Sequence, residues 1–444
     1  MNILLATYSY YPYQWGGSEV YVSGLATYLQ QQGNKVCVIA GMAPEAYTDH
    51  ELWFENDYLK AVKYCHDGIT IIGVILKHTT TSQIYTRFKP AWIIAWAGVI
   101  QKITSDKWDI LHMHAHTSLI SVAMLDAAQQ HSPAIKIIAS YHTPLSCVKN
   151  TLLSSNRLVA CTVYPSTNIC TSCVFSGKTN LPFSITRPLV KIMPSIKNEN
   201  LPTALRIKFL IAQHIRSFKN LDAAIDQWHV FSEQIKQLLI INKINSSKIN
   251  LLRHGVNNVF LDKILPIAAL KKTPVIFLYV GRFAKIKGFH TLLKAWRSLH
   301  EIKERQLWII GEIQNDETAI ETEISKAKQR NDITWFGMKT QAAIATIMQQ
   351  VHCTIIPSEW VEIGPLVFHE AIASGADVIA ADIGGCRELA TIYASKTTLF
   401  KPGDKNQLVK SILNYKFSNT YHLPISETDN FKEVNKSYLS LMNK

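Results

Sequence analysis

At 444 residues the chain is too long for one ordinary domain, and two domains of roughly 200 residues each are expected. Its 47% hydrophobic and 18% charged residues exclude a disordered chain. The formal charge of +13 calls for an anionic partner, and it is uneven: residues 1–260 hold 23 Lys/Arg against 14 Asp/Glu.

Residues 2–7 (NILLAT) read as a first strand. No basic stretch precedes them, so they do not have the form of a secretory signal peptide. Val22, Leu25, Ala26 and Leu29 then recur at i, i+3, i+4 and i+7, one apolar face of a helix. Gly33 supplies its C-terminal cap, and Val36 to Ala40 form the next buried strand. Strand, helix, strand in this order predicts a parallel sheet with helices on its faces. Ile69 to Leu76, Asp109 to His112 and Ile135 to Ser140 are further strands. The longest apolar stretch, Pro90 to Ile100, is too short to span a bilayer, so the protein is expected in the cytoplasm. Residues 144–200 break the rhythm and read as an insertion that carries four cysteines. Residues 249–252 (INLL) close a first domain of residues 1–260.

The weakly patterned residues 257–273 are the expected linker, and a second α/β rhythm starts at Pro274. Its strands are Val275 to Val280, Leu307 to Ile310, Ile333 to Phe336, Cys353 to Ile356 and Val378 to Ala381, with a helix from Thr291 to Leu299. They define a domain of residues 261–430. In the tail, 431–444, Phe431, Val434, Tyr438, Leu439 and Leu441 predict a helix that packs back on the first domain.

The densest signal is PSEWVEIGPLVFHEAIASG, residues 357–375. A strand ends at Pro357, and Gly364-Pro365 marks a helix start. The first amides of that helix lack intrahelical partners, and its dipole favours an anion such as a diphosphate. Glu362 stands just before the helix and Glu370 about a turn and a half inside it. Their separation matches roughly the sugar–phosphate section of a nucleoside diphosphate, at about 1.5 Å of rise per residue. Solvated surface glutamates are the bland alternative. A second motif, YVGRFAKIKG (residues 279–288), ends a strand with two cations five residues apart. Arg282 is suited to bidentate phosphate binding and Lys287 to binding as a point charge.

The two motifs resemble the signature of retaining glycosyltransferase family 4. The resemblance implies an α/β chain of the GT-B class, with two Rossmann-like domains facing across a cleft. It implies that Glu370 holds the donor ribose and that Glu362 contacts the donor sugar. The backbone at Gly364, Pro365, Leu366 and Val367 then lies near diphosphate and sugar, and Arg282 and Lys287 clamp the phosphates. The sequence departs from the family at Asp377, where Pro is usual, and at His352-Cys353, where Ala-Asp is usual. Gly16-Gly17 resembles the family's loop that faces the donor phosphates. In DILHMHAH (residues 109–116), His114 corresponds to the family's active-site histidine. His142, at the end of the next strand, is a weaker candidate. A metal set among these alternating histidines lacks a fourth partner nearby.

The resemblance implies a retaining hexosyltransferase that needs no metal cofactor. The chain contains no Asp-x-Asp motif, so Arg282, Lys287 and the helix terminus take the place of a divalent cation. Glu362, His114, Arg282 and Lys287 are the catalytic candidates. The partners expected are a nucleotide-sugar and a glycan or lipid-linked acceptor of cell-surface synthesis, with no nucleic acid. A nucleotide-sugar epimerase and a non-catalytic nucleotide-sugar-binding protein are the alternatives.

Cys147, Cys161, Cys170 and Cys173 end in a Cys-x-x-Cys turn and are candidate ligands of a structural zinc. An iron–sulfur cluster and unligated thiols are also open. Residues 84–100 mix aromatics with Arg87 and Lys89, and residues 181–219 are basic and apolar. Both suit an anionic membrane surface, and they predict peripheral association with the inner face of the cytoplasmic membrane.

Overall fold

The computed structural model describes the chain except for residues 14–15, 44–45, 47–49, 78–89, 104–106, 118, 155–157, 199, 262–273, 302, 314–317, 419–421 and 444. It forms two compact units. The first comprises Met1–Asn150, Thr162–Leu252 and Phe431–Lys444, and the second comprises Thr151–Cys161 and Arg253–Asn430.

In the first unit the strands are β1 (Asn2–Thr7), β2 (Lys35–Gly41), β3 (Leu52–Glu55), β4 (Leu59–His66), β5 (Ile69–Leu76), β6 (Ile110–Met113), β7 (Lys136–Ser140), β8 (Gln227–Val230) and β9 (Ile249–Leu251). They form one sheet in the order β3-β4-β5-β2-β1-β6-β7-β8-β9. The pairs from β5 to β9 are parallel, and β3 and β4 add an antiparallel edge. Val22, Leu25, Ala26 and Leu29 are fully buried on one face of the helix Gly17–Gln31, as their spacing requires. The chain order reverses beside β1, between β2 and β6. In open α/β sheets ligands bind outside the carboxyl ends of the strands at such a point.

The second unit holds β10 (Val275–Val280), β11 (Arg305–Ile310), β12 (Ile333–Gly337), β13 (Cys353–Ile356), β14 (Asp377–Ala381) and β15 (Thr397–Phe400). Their order is β12-β11-β10-β13-β14-β15, and all pairs are parallel. This is the doubly wound arrangement, with its switch point beside β10.

Two sequence boundaries differ from these units. The division falls at Leu252/Arg253 and not at 260, because the residues after Arg253 pack on the second unit. Val256 and Phe260 are buried with Leu278 and Phe368. The insertion 144–200 is also not confined to the first unit. Its segment Thr151–Cys161 belongs to the second, where the Val361 amide donates to the Thr151 carbonyl at 3.4 Å. The linker 257–273 lies largely outside the described residues, which resume at 274. The tail helix runs over Glu427–Met442, and its part from Phe431 onward lies in the first unit. There Phe431 packs on Tyr21 and Tyr28, and the Tyr438 hydroxyl meets Nδ1 of His112 at 2.6 Å.

The two departures from the family pattern have structural partners. Asp377 accepts from the fully buried Lys396 Nζ at 2.9 Å and from the Tyr415 hydroxyl and the Ser418 amide at 2.8 Å each. His352 Nδ1 accepts from the Ile276 amide at 3.0 Å. Both side chains satisfy buried polar groups at the strand starts, away from the carboxyl ends.

Candidate active site

The second unit brings its predicted residues to the carboxyl ends of β10 and β13, on either side of the switch point. After β10 the chain turns through Arg282 to a single turn at Lys285–Lys287 and then Gly288. Gly288 has φ +66°, and a Cβ there would stand 1.7 Å from the Pro357 carbonyl oxygen. Only glycine lets the β10 loop close on the β13 loop. This close approach carries Lys287 to Glu362, with Nζ to Oε1 at 2.8 Å. The Ser358 hydroxyl donates to the same oxygen at 2.5 Å, and the Lys287 ammonium lies 4.7 Å from the Trp360 ring centroid. Burial by itself pushes the Glu362 carboxyl up. The Lys287 charge and the hydrogen bonds from Lys287 and Ser358 outweigh burial and hold it below the ordinary value.

Two residues to which the sequence reading gave no role fix the Glu362 backbone. The Gly385 amide donates to the Glu362 carbonyl at 2.6 Å. Gly384 has φ +60°, and a Cβ there would stand 2.5 Å and 2.6 Å from the carbonyl oxygen and amide nitrogen of Glu362. The available signal was a Gly-Gly pair just after a strand, the same cue that drew attention to Gly16-Gly17.

Pro365 caps the helix Leu366–Ala373, so the Leu366 and Val367 amides lie in its unpaired first turn. Glu370 is buried inside this helix. Burial first, and the neighbouring Glu427 second, push its carboxyl up to about 8, so it holds its proton at neutral pH. Arg282 is exposed, and its carbonyl accepts the Tyr279 hydroxyl at 2.7 Å. Of the two expected phosphate-binding cations, Lys287 is thus engaged with the site carboxylate while Arg282 faces solvent.

In the first unit Gly16 and Gly17 follow β1 and His114 follows β6. The Gly16 amide already donates to Glu19 Oε2 at 2.9 Å, and Ser18 donates to the same oxygen at 3.0 Å. A carboxylate thus occupies the amide expected to face a phosphate. Trp15, beside it, lies outside the described residues. His114 and His142 lie together, Nδ1 to Nε2 at 3.0 Å, and Phe231 stacks on His142. Burial, then His229, lowers His142 to about 3. His142 is therefore neutral, and which ring donates across this contact depends on the tautomers.

Among the described residues, no group of three or more His, Cys, Asp or Glu could hold a metal ion. Cys147, Cys161, Cys170 and Cys173 are all described, and the structure does not assemble them into the ligand set that their spacing suggested. Cys161 sits in the second unit and the other three in the first, because the insertion is divided between them. The helix Pro90–Ile103 buries Trp96, Val99 and Ile100 and leaves Ile94 72% exposed. Arg87 and Lys89 lie outside the described residues.

Two doubly wound α/β units, with a cation and a buried glutamate at a helix start beside the second unit's switch point, define a glycosyltransferase of the GT-B class. The solved structures agree in fold. A glycosyltransferase from Rickettsia africae is 16% identical, with a TM-score of 0.60 over 99% of this chain and 98% of that one. The catalytic domain of starch synthase IV from Arabidopsis thaliana, bound to ADP and acarbose, is 14% identical, with a TM-score of 0.61 over 100% and 99%. HepE from Anabaena, in complex with UDP and glucose, is 14% identical, with a TM-score of 0.57 over 100% and 97%. No curated protein matches the sequence. Two family models do: Glycosyltransferase Family 4 over residues 15–169 and Glycosyl transferases group 1 over residues 262–419. Between them they cover more than two thirds of the chain, and it belongs to glycosyltransferase family 4.

Proposed function

We propose that the protein is a retaining, metal-independent hexosyltransferase. It moves a hexosyl unit from a nucleotide-sugar to a glycan or lipid-linked acceptor of cell-surface polysaccharide or glycolipid synthesis. It works in the cytoplasm, peripherally at the inner face of the membrane. The observation that carries this reading is the pairing of Lys287 with the buried Glu362, one turn ahead of the helix that holds Glu370. A diphosphate at the helix start takes Lys287 and the exposed Arg282 as counter-charges. Glu362 then accepts from sugar hydroxyls, and Glu370 meets the ribose. The bond from the anomeric carbon to the diphosphate breaks while the acceptor oxygen bonds to that carbon from the same face. The acceptor's proton passes to the leaving phosphate oxygen, so no separate base is required. Lys287, Arg282 and the helix terminus stabilise the charge that develops. The nucleoside diphosphates named with the starch synthase and HepE structures support a donor of this kind.

The test is a thermal-shift screen against UDP-, GDP- and ADP-hexoses, followed by NMR of the product anomer with EDTA present. A stabilising donor, and a product with the donor's anomeric configuration formed at an unchanged rate in EDTA, is the expected result. An inverted product, a requirement for metal, or release of an isomerised sugar without acceptor would overturn it. No helix among the described residues is long and apolar enough to cross a membrane.

A further inference from the structure

The insertion carries an outward apolar surface that catalysis does not use. Its helix Phe183–Ile192 turns Thr186 and Val190 inward, one turn apart, and both are buried. The helix is fixed from behind. Lys208, on the helix Thr203–Ala224, donates to the Val190 carbonyl at 2.9 Å and the Met193 carbonyl at 2.8 Å. The turn ahead of it is held by Ser176, whose hydroxyl donates to the Leu181 carbonyl at 2.6 Å. The anchored helix leaves Leu181, Ile185, Leu189 and Ile192 exposed by 39, 45, 50 and 82%. Ile185, Leu189 and Ile192 stand at i, i+4 and i+7 of the helix, in one stripe, and Leu181 lies just ahead of it. Soluble chains rarely expose four large aliphatic side chains in a row without something to cover them.

The charge around the stripe says what covers it. Arg187, Lys191 and Lys197 are exposed on or just after the helix. From residue 127 to residue 198 the sequence contains no Asp or Glu, yet it holds seven Lys and Arg. We propose that the stripe Leu181–Ile192 is a docking face for an anionic lipid surface. The aliphatic side chains enter the headgroup boundary, while the cations meet the lipid phosphates. A second copy of the chain is a poor occupant, since it would bring two cationic stripes together. A nucleic acid has no place for four aliphatic side chains. The proposal gives a location to the peripheral attachment above and rests on that reading.

The experiment is flotation of the full chain with vesicles of phosphatidylcholine alone and with 30% phosphatidylglycerol, at low salt and at 0.5 M NaCl. Two surface variants are compared, Ile185→Ser/Leu189→Ser/Ile192→Ser and Arg187→Glu/Lys191→Glu, each checked for an unchanged melting temperature. Binding to the anionic vesicles, weakened at least tenfold by either variant and by salt, is the expected result. No binding of the native chain, equal binding to neutral vesicles, or binding that neither variant changes would overturn the proposal. So would a native dimer that the triple variant dissociates, since the stripe would then be an interface between copies. Thermal shift with nucleotide-sugars in solution does not involve this face. A vesicle failure therefore leaves the enzymatic reading standing, and a donor failure leaves the lipid contact standing.

Discussion

Acid should weaken the first unit far more than the second. Four imidazoles meet beneath the carboxyl ends of β6 to β8. His112 lies 4.0 Å from His114 and 5.0 Å from His229 by ring centroids, and His142 joins His114. Burial holds His229 at about 3. Burial, with the neighbouring histidines, holds His112 well below its ordinary value. A histidine kept neutral in the fold but free to charge when unfolded stabilises fully above about pH 6.5, and that stability is lost as pH falls. At pH 5 the unfolded chain has gained about 1.5 pKa units of protonation, or about 2 kcal/mol, per buried histidine. His229 and His142, both held at about 3, together then cost about 4 kcal/mol, and His112, held well below its ordinary value, acts in the same direction. That is a large share of a typical domain stability of about 5–15 kcal/mol. The second unit holds raised carboxyls, Glu427 at about 7 among them, that offset its histidine. His369, held at about 4 by burial, also costs about 2 kcal/mol at pH 5. Glu370 has the opposite sign: its raised pKa opposes folding at pH 7, and protonation by pH 5 relieves about 2 kcal/mol. Hydrogen exchange read by mass spectrometry at pH 7 and pH 5, corrected for intrinsic rates, separates the units. Peptides from β6 to β8 and from the tail helix after Phe431 should lose protection, because Ser437 and Tyr438 hold His229 and His112. Peptides from β10 to β14 should hold theirs. Equal loss in both units, or none in the first, would refute the reasoning.

Two further outcomes follow from buried charge in the second unit. Glu427→Gln removes the second cause that raises Glu370, so the Glu370 pKa should fall. Titration calorimetry with a nucleoside diphosphate should show affinity rising with pH up to about 8 in the native protein, by no more than tenfold per unit, with the plateau reached at lower pH in the variant. An affinity that falls as Glu370 ionises would count against its ribose role. Asp377→Ala leaves the Lys396 ammonium buried without its carboxylate and should cost about 3–5 kcal/mol in urea unfolding of the second unit, with Asp377→Leu/Lys396→Met recovering most of it. A loss below about 1 kcal/mol would mean that the pair carries little of the local stability.

Most of the parallel core was legible because buried strands are short apolar runs between turns. NILLAT, VIFLYV and CTII needed only that cue. The strands that escaped lack it. β8 reads QWHV, whose polar Gln227 and His229 are both buried, and His229 meets Ser437 on the tail helix. β3 and β4 form an antiparallel edge, and β15 reads TTLF with only its Phe buried. The residues gathered at the second unit's switch point were legible because they lie in two continuous segments. Gly384 and Gly385 were not, since their work is done on Glu362, more than twenty residues away. The cysteine spacing said nothing of the division of the insertion, which puts Cys161 in the second unit and the other three cysteines in the first.

Under the proposed function, the Lys287–Glu362 contact would link sugar and phosphate recognition. Glu362 is buried, and Lys287 is the cation that offsets its burial. A diphosphate that draws Lys287 away leaves that carboxylate without its counter-charge, at a cost of several kcal/mol if nothing replaces it. Sugar hydroxyls donating to Glu362 are the replacement. A donor that supplies both diphosphate and hydroxyls resolves the exchange, whereas a bare nucleotide takes the cation and leaves the acid stranded. Ser358 softens the penalty through its hydrogen bond without supplying charge. On this account selection for the intact donor comes from the resting ion pair, and the Gly288 and Gly384 approaches serve to hold that pair at 2.8 Å.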